Sequence, residues 1–142
     1  VKTNFENISN DAIDFSGSRV DVNNAYFDNV NDKIISAGED SRIIINQITG
    51  TDSYAGIISK DGSKVYSKNI KFDGVKIPFA AYQKKNEYNF PSLDVKDYTL
   101  KNFVAKSIKD KTAELITNDV TIEMNSDNII SLMYEKNFSN IE

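Results

Sequence analysis

A repeat of about 22 residues constrains the fold of this chain more than any other feature of its sequence. Four segments share an apolar residue, a charged residue, Asn or Gly, and a second apolar residue. They begin at Phe5, Phe27, Phe72 and Leu100. The first two begin 22 residues apart, and the step to the third is close to twice that spacing. Self-similarity at such a period is typical of solenoids and propellers.

A second series of segments repeats in phase with the first. Its members begin at Ser18, Ser41, Ser63 and Ser92. Both series lengthen by about six residues between their last two members. One insertion within residues 83–91 explains both changes, and two series that agree on one period are hard to obtain by chance.

Short apolar alternations lie inside each repeat and are broken every few residues by Asn, Asp, Gly or Ser. Examples are Ile13-x-Phe15, Val20-x-Val22 and Ile43-x-Ile45. Alternation with period two indicates β-strands, and the intervening residues favour turns. Three short strands per repeat predict a coil that climbs by one strand spacing, roughly 4.8 Å, per turn. The sequence therefore predicts an all-β parallel solenoid of four to five coils.

Equivalent side chains stack in such a coil, so the repeat also predicts the core. The predicted columns are Ile13, Ile35, Ile58 and Ala80; Val20, Ile43 and Val65; and Phe5, Phe27, Phe72 and Leu100. Asn24 and Asn69, with Asn46 or Gln47 between them, fall at one corner, where Asn tolerates the left-handed conformation. We expect a structural asparagine ladder there.

The repeat becomes less regular after Phe103. Residues 104–115 could be a last coil or a short helix, 120–124 alternate like a strand, and 128–134 could be a helical turn or a strand that covers the open end. Exposed strand edges require protection. We predict coils over residues 1–115 and a C-terminal cap over 116–142, with an N-terminal edge that another domain covers or that self-associates.

The composition excludes several classes of function. The 142 residues contain no Cys and no His, which excludes disulfides, thiolate chemistry and histidine-based sites. The formal net charge of -4 argues against nucleic-acid binding. No apolar stretch is long enough for a membrane span. No targeting signal is visible, and we expect an extracellular or cell-surface location.

Four segments carry a resemblance to a known family. They are 10–18 (NDAIDFSGS), 32–39 (DKIISAGE), 56–63 (GIISKDGS) and 80–85 (AAYQKK). The repeat resembles right-handed, single-stranded parallel β-helix proteins of the pectate-lyase-like superfamily. It also looks like the C-terminal β-helix segment of large bacterial proteins that carry spore-coat-protein-H-like kinase or lamin-tail modules. The superfamily includes polysaccharide-active enzymes, adhesins and scaffolds, so fold alone does not decide function.

Charged residues concentrate on one face of the predicted coil. Those that could act in catalysis are Asp11, Asp14, Asp32, Lys33 and Lys60. The resemblance implies carboxylates, with Ca²⁺ in some members, beside a basic residue in a polysaccharide lyase or epimerase. The competing interpretation is a solvated face with cross-strand charge pairing, in which Lys33 is neutralised by Asp11 and by Asp61 or Glu39. An enzyme requires these groups to converge, whereas a binding module does not. We favour the binding module, and we expect no cofactor.

The insertion at 83–91 must leave the coil and is the best candidate for a contact site. Its aromatic residues suit sugar rings, and its lysines suit carboxylate or sulfate groups. The candidate binding residues are Tyr82, Gln83, Lys84, Lys85, Tyr88 and Phe90. Alternatively, Tyr88 and Phe90 fold back and shield the core. We expect a non-catalytic scaffold or binding module that contacts carbohydrate or a partner protein, as part of a larger protein.

Overall fold

The computed structural model describes residues 2–123 and 126–136, and this part of the chain forms an all-β parallel solenoid of about 5 turns. The predicted fold class is confirmed, while its right-handedness stays a prediction. The strands are β1 (Thr3–Ile8), β2 (Ile13–Ser16), β3 (Arg19–Val30), β4 (Lys33–Gly38), β5 (Arg42–Lys60), β6 (Lys64–Tyr82), β7 (Ser92–Lys101), β8 (Ser107–Lys109), β9 (Glu114–Thr117) and β10 (Val120–Thr121). A short helix with π-type hydrogen bonding spans Ser131–Glu135.

Each coil contributes one strand segment to each of three faces. The first face contains residues 3–6, 25–28, 48–51, 70–73 and 98–101. The second contains 13–16, 33–38, 55–60, 77–82 and 107–109. The third contains 19–23, 42–46, 64–68, 92–96 and 114–117. All of these neighbours pair in parallel, as a solenoid requires.

Residues in the left-handed conformation turn the chain between faces. They are Asn7, Asn29, Asp52, Gly74 and Asn102 after the first face; Gly17, Glu39, Asp40, Asp61 and Gly62 after the second; and Asn24, Gln47, Asn69 and Asp97 after the third. Asn and Asp tolerate this conformation better than most residues. The predicted asparagine corner is present, with Gln47 in the turn and Asn46 accepting a 2.8 Å hydrogen bond from the Asn69 amide.

Two predicted core columns are confirmed. Val20, Ile43 and Val65 are paired in register, and the column continues through Leu93 and Leu115. The aromatic column also forms, and the rings of its first two members, Phe5 and Phe27, stack at 4.9 Å. The serine series likewise stacks, because backbone amides of Ser18 and Ser41 donate to the hydroxyls of the next serines.

Gly50 occupies the aromatic column between Phe27 and Phe72. A β-carbon at Gly50 would lie 2.7 Å from the Ile34 side chain and 2.8 Å from the Phe72 ring. Gly56 has the same function on the next face, because its β-carbon would clash with that ring and with the Pro78 carbonyl oxygen. The two glycines therefore provide the space that Phe72 fills.

The predicted column Ile13, Ile35, Ile58 and Ala80 is wrong beyond its second member. Ile35 pairs with Ile57, which lies in the main core, whereas Ile58 pairs with Ser36 and faces outward. Strict alternation fails on the second face, because two successive residues, Ile34 and Ile35, both pack in the core. A slip of one residue moves a side chain to the opposite side of a sheet.

The C-terminal region completes a coil and then leaves it. Strands β8 and β9 extend the second and third faces, so residues 104–115 belong to a coil and not to a helix. Strand β10 pairs antiparallel with β9, and Ile122 packs against the main core. Residues 124–125 and 137–142 of the predicted cap lie outside the described residues.

The helix Ser131–Glu135 lies along the outer surface of the second face. Residues 126–136, which we call the strap, place Ile129, Leu132 and Met133 in a second hydrophobic cluster with outward residues of the second face, such as Ile58 and Ile77. At the other end, β1 and β2 pair on one side only within the described residues.

Candidate functional site

The five residues predicted for a catalytic alternative lie close together at the first three coils of the second face. Asp11 and Lys33 lie on adjacent coils, and the backbone amide of Lys33 donates to Asp11 Oδ1 at 3.0 Å. Lys60 lies two coils above Ser16 in the outward column that also contains Tyr82, and its aliphatic chain passes close to Gly38. We call Asp11, Asp14, Asp32, Lys33 and Lys60 the charge cluster.

Lys33 is the centre of the charge cluster and is 2% exposed. Its Nζ lies 3.0 Å from Asp32 Oδ1 and 3.6 Å from Asp11 Oδ1. The predicted partner Asp11 is therefore correct, whereas the alternatives Asp61 and Glu39 bind other residues. Both of the carboxylates that pair with Lys33 are partly exposed, at 15% for Asp11 and 23% for Asp32.

Burial and neighbouring charges shift the pKa values of three members of the charge cluster. Burial raises the pKa of Asp11, although Lys33 opposes the rise. Burial alone would lower the pKa of Lys33, but Asp11 and Asp32 together outweigh it and raise that pKa. Burial and the positive charge of Lys33 both lower the pKa of Lys60. Lys60 is thus the member whose ammonium group loses its proton most readily.

Tyr134 of the strap covers the charge cluster. The Nζ atoms of Lys33 and Lys84 lie 4.8 Å and 4.2 Å from the centre of its ring. Its hydroxyl is 2.8 Å from the hydroxyl of Tyr82, which is fully buried. The sequence places Tyr134 in the cap, but nothing in its spacing indicates that the cap folds back over these charges.

The remainder of the strap is fixed by contacts with the corner between the first two faces. The Tyr54 hydroxyl donates to the Leu132 carbonyl, and Lys136 Nζ donates to the Asn31 carbonyl at 2.6 Å. Burial raises the pKa of Tyr54 to about 12. Lys136 and Lys76 also lie near the Tyr54 ring, at 4.7 Å and 6.0 Å. The strap is consequently held by apolar, hydrogen-bonding and cation–π contacts together.

The 83–91 loop is fixed by hydrogen bonds to two buried or half-buried carboxylates. The backbone amides of Lys84 and Lys85 each donate to Asp61 Oδ1 at 2.7 Å, and the Gln83 amide donates to Asp110 Oδ2 at 3.0 Å. Within the loop, the Gln83 side chain donates to the Tyr88 carbonyl at 2.9 Å. Pairing of Lys60 with Tyr82 and of Lys64 with Ser92 confirms that this segment carries the extra residues.

The predicted binding residues differ in accessibility. Phe90 is 65% exposed and Tyr88 is half-buried, and neither belongs to a hydrophobic core cluster. Phe90 therefore does not shield the core. Lys85 makes a 2.9 Å ion pair with Glu39, and Tyr82 lies beneath Tyr134. Because Tyr82 is buried, we do not include it in the contact surface of the loop.

The described residues contain no group of three or more carboxylates close enough to hold a metal ion. The Ca²⁺ of the enzyme alternative therefore stays a prediction without a candidate cluster in residues 2–123 and 126–136.

In the same part of the chain, no helix has the length and apolar character needed to cross a membrane.

Comparisons of this chain with protein-family models, with curated proteins and with solved structures find no match. The fold is therefore established by the strand pairing alone, as a parallel β-solenoid.

Proposed function

We propose that this chain is a non-catalytic binding module of a β-solenoid scaffold, and that the 83–91 loop is its contact site for carbohydrate or for a partner protein. One observation carries the proposal: a loop whose backbone is fixed by Asp61 and Asp110 presents Phe90 with 65% of its surface exposed. Ordered loops lose little conformational entropy on binding.

The composition of the loop favours carbohydrate as the first ligand class to test. An exposed aromatic ring can stack on the apolar face of a sugar. Asn86 and Asn89 are also exposed and carry amides that donate and accept hydrogen bonds. The likeness to pectate-lyase-like proteins, and with it an extracellular location, remains part of this proposal.

The test compares the full chain with Phe90→Ala on a glycan array. Phe103→Ala is a matched control, because it makes the same change at another exposed phenylalanine, which is 44% exposed. We expect Phe90→Ala to abolish retention of the bound glycan while its melting temperature stays within about 2 °C of the original, as for a surface change. Phe103→Ala should retain the glycan.

Two results would contradict this proposal. If Phe90→Ala unfolds the protein but leaves glycan retention per folded molecule unchanged, the residue is structural. If the original chain retains no glycan, the carbohydrate ligand is wrong. The Tyr88→Ala change should have a smaller effect than Phe90→Ala, because Tyr88 is half-buried.

A polysaccharide lyase or epimerase is the second candidate, because the charge cluster does converge. Lys60 has a lowered pKa, which favours a general base, and Asp11 and Asp14 lie near it. Against this role, Lys33 and Lys84 both lie against the Tyr134 ring, so the strap covers this end of the face. Incubation of uronic-acid polymers with the chain tests this candidate. A lyase would produce unsaturated chain ends that absorb ultraviolet light, and Lys60→Met should abolish this product.

Self-association through the N-terminal edge is a further proposal, supported by the one-sided pairing of β1 and β2 within the described residues. Unpaired strand edges favour pairing with another chain. Light scattering should show a mass that falls on dilution, and a concentration-independent monomer would contradict it.

A further inference from the structure

The outer surface of the third face carries two exposed apolar side chains at paired positions. Ile44 is 56% exposed and Tyr66 is 61% exposed, and they are register partners on adjacent coils. Their neighbours in the same column, Asp21 and Asp94, are charged. The apolar pair is therefore a local interruption of a polar surface, about one strand spacing long, and it lies on a different face from the strap.

Positive side chains border this apolar pair on both sides. Arg42 and Lys64 pair in register along one side, and Lys68 and Lys96 do so along the other. Cations at successive coils repeat at the strand spacing of roughly 4.8 Å. In a chain with a net charge of -4, four positive side chains thus flank the apolar pair, while Asp21 and Asp94 lie at the two ends of its column. An apolar centre with a charged rim is the usual anatomy of a protein interface.

An open cleft of about 350 Å³ lies between these residues and includes Ile44, Ile45, Tyr66, Lys68 and Lys96. Its volume is sufficient for one side chain of a ligand. Because Ile44, Ile45 and Tyr66 line it, that side chain should be apolar. The rim lysines are exposed, and Lys96 makes a surface ion pair with Asp119, whose side chain is 81% exposed. Such pairs are weak, and an incoming carboxylate can replace Asp119.

The hydrogen-bonding groups of the cleft favour a polypeptide over a sugar. Asn46 Oδ1 already accepts a hydrogen bond from Asn69, and the Ser67 hydroxyl donates to the Asp94 carbonyl. A sugar would require such neutral groups for its hydroxyls, whereas an apolar side chain flanked by carboxylates requires only the apolar floor and the lysines.

We propose that the third face is a docking surface for an acidic polypeptide segment: an apolar side chain of the segment enters the cleft beside Ile44 and Tyr66, and its flanking carboxylates pair with Lys64, Lys68 and Lys96. This surface is separate from the 83–91 loop, so the proposal stands or falls independently of the function proposed above.

The test is an NMR titration of the ¹⁵N-labelled full chain with the synthetic peptide acetyl-Asp-Glu-Phe-Glu-Asp-amide. We expect shifts of backbone amide signals confined to residues 42–46, 64–68 and 92–96. A peptide with Gly in place of Phe should bind more weakly, and a peptide with Lys in place of its acidic residues should not bind.

Variants then identify the groups that bind the peptide. Tyr66→Ser should weaken the peptide Kd by roughly tenfold, as for the central residue of an interface. Lys68→Glu should weaken it by about threefold or more, because it reverses one rim charge. Lys71→Glu, the same change at an exposed lysine of the first face, is the control and should leave the Kd unchanged. All three positions point outward, so thermal melts should show folded proteins.

Several results would overturn the proposal. These are no shifts at millimolar peptide, shifts confined to another face, equal binding of the lysine peptide, or an unchanged Kd in folded Tyr66→Ser. A heparin oligosaccharide provides the arm for the other ligand class: if it shifts the signals of the third face and the acidic peptide does not, the ligand is an anionic glycan and the polypeptide proposal is wrong.

Discussion

Replacing Lys33 with Met tests whether the charge cluster stabilises the fold. Lys33 is 2% exposed, and its Nζ lies 3.0 Å and 3.6 Å from carboxylate oxygens of Asp32 and Asp11. At an effective dielectric constant of about 20, each pair attracts by about 5 kcal/mol before the opposing loss of hydration is included. Breaking a buried ion pair usually destabilises a protein by about 3–5 kcal/mol. Because both carboxylates are partly exposed, we expect Lys33→Met to lower the free energy of unfolding by about 2–3 kcal/mol at pH 7.

The effect should depend on pH, because it arises from an uncompensated carboxylate. Burial already raises the pKa of Asp11, and Lys33 opposes that rise. Without Lys33 the pKa of Asp11 rises further, so the folded protein binds a proton more readily than the unfolded chain does. The charged carboxylate destabilises the variant above this pKa, and protonation relieves the effect as the pH falls. The deficit of Lys33→Met should therefore be smaller at pH 4 than at pH 7.

Urea denaturation of the original chain and of the variant, at both pH values, measures this deficit. Lys71→Met is the matched control, since Lys71 is exposed on the first face and its loss should change stability by less than about 0.5 kcal/mol. The double variant Asp11→Asn/Lys33→Met should recover part of the loss, because it removes both charges. A deficit below about 0.5 kcal/mol at pH 7, or an equal deficit at both pH values, would refute this reasoning.

Three further predictions follow from the core and the strap. Ile45→Asp should prevent folding, because Ile45 is 1% exposed in an inward column and the change would bury an unpaired charge; a soluble protein with an unchanged melt would contradict the inward assignment. Gly50→Ala should destabilise by about 1–3 kcal/mol in urea denaturation through overpacking against Phe72, and adding Phe72→Leu should recover part of that loss; additive effects would exclude the clash. Stability should fall above pH 10, because the unfolded chain releases the Tyr54 proton there, whereas the folded chain retains it to about pH 12. Tyr54→Phe should reduce that fall, and an alkaline stability profile unchanged by the substitution would contradict this prediction.

The solenoid and its period could be predicted from the sequence because coil contacts repeat at a fixed spacing. Phe5 and Phe27, or Val20 and Ile43, are neighbours in space because they are equivalent in the repeat. The insertion could be located for the same reason, since it changes the spacing of two series at once. Information of this kind depends only on residues one coil apart, and a single sequence contains it.

Which side chains of the second face point into the core could not be predicted from spacing alone. Alternation assigns one residue inward and the next outward, but Ile34 and Ile35 both pack in the core. The assignment therefore shifts by one residue at Ile58, which resembles a core residue in type and faces the strap. The sequence contains no local indication of this shift, because Ile57 and Ile58 are both isoleucines and either could be placed inside.

The position of the strap depends on a change from polar to apolar residues along the outer side of the second face. This change can be seen only when the register of the strands is known. The outward column runs from Asp14 and Ser36 in the first coils to Ile58, Ala80 and Ile108 in the later ones. An outward column this apolar would be unfavourable in water, so the later coils require a cover, and Leu132 and Met133 provide it. The polar coils require none, and there the strap presents Tyr134, whose ring contacts Lys33 and whose hydroxyl meets Tyr82. The change from polar to apolar residues thus explains why the chain folds back along this face and why the charge cluster lies beneath the end of the strap. Loss of the strap should expose the apolar column and the charge cluster together.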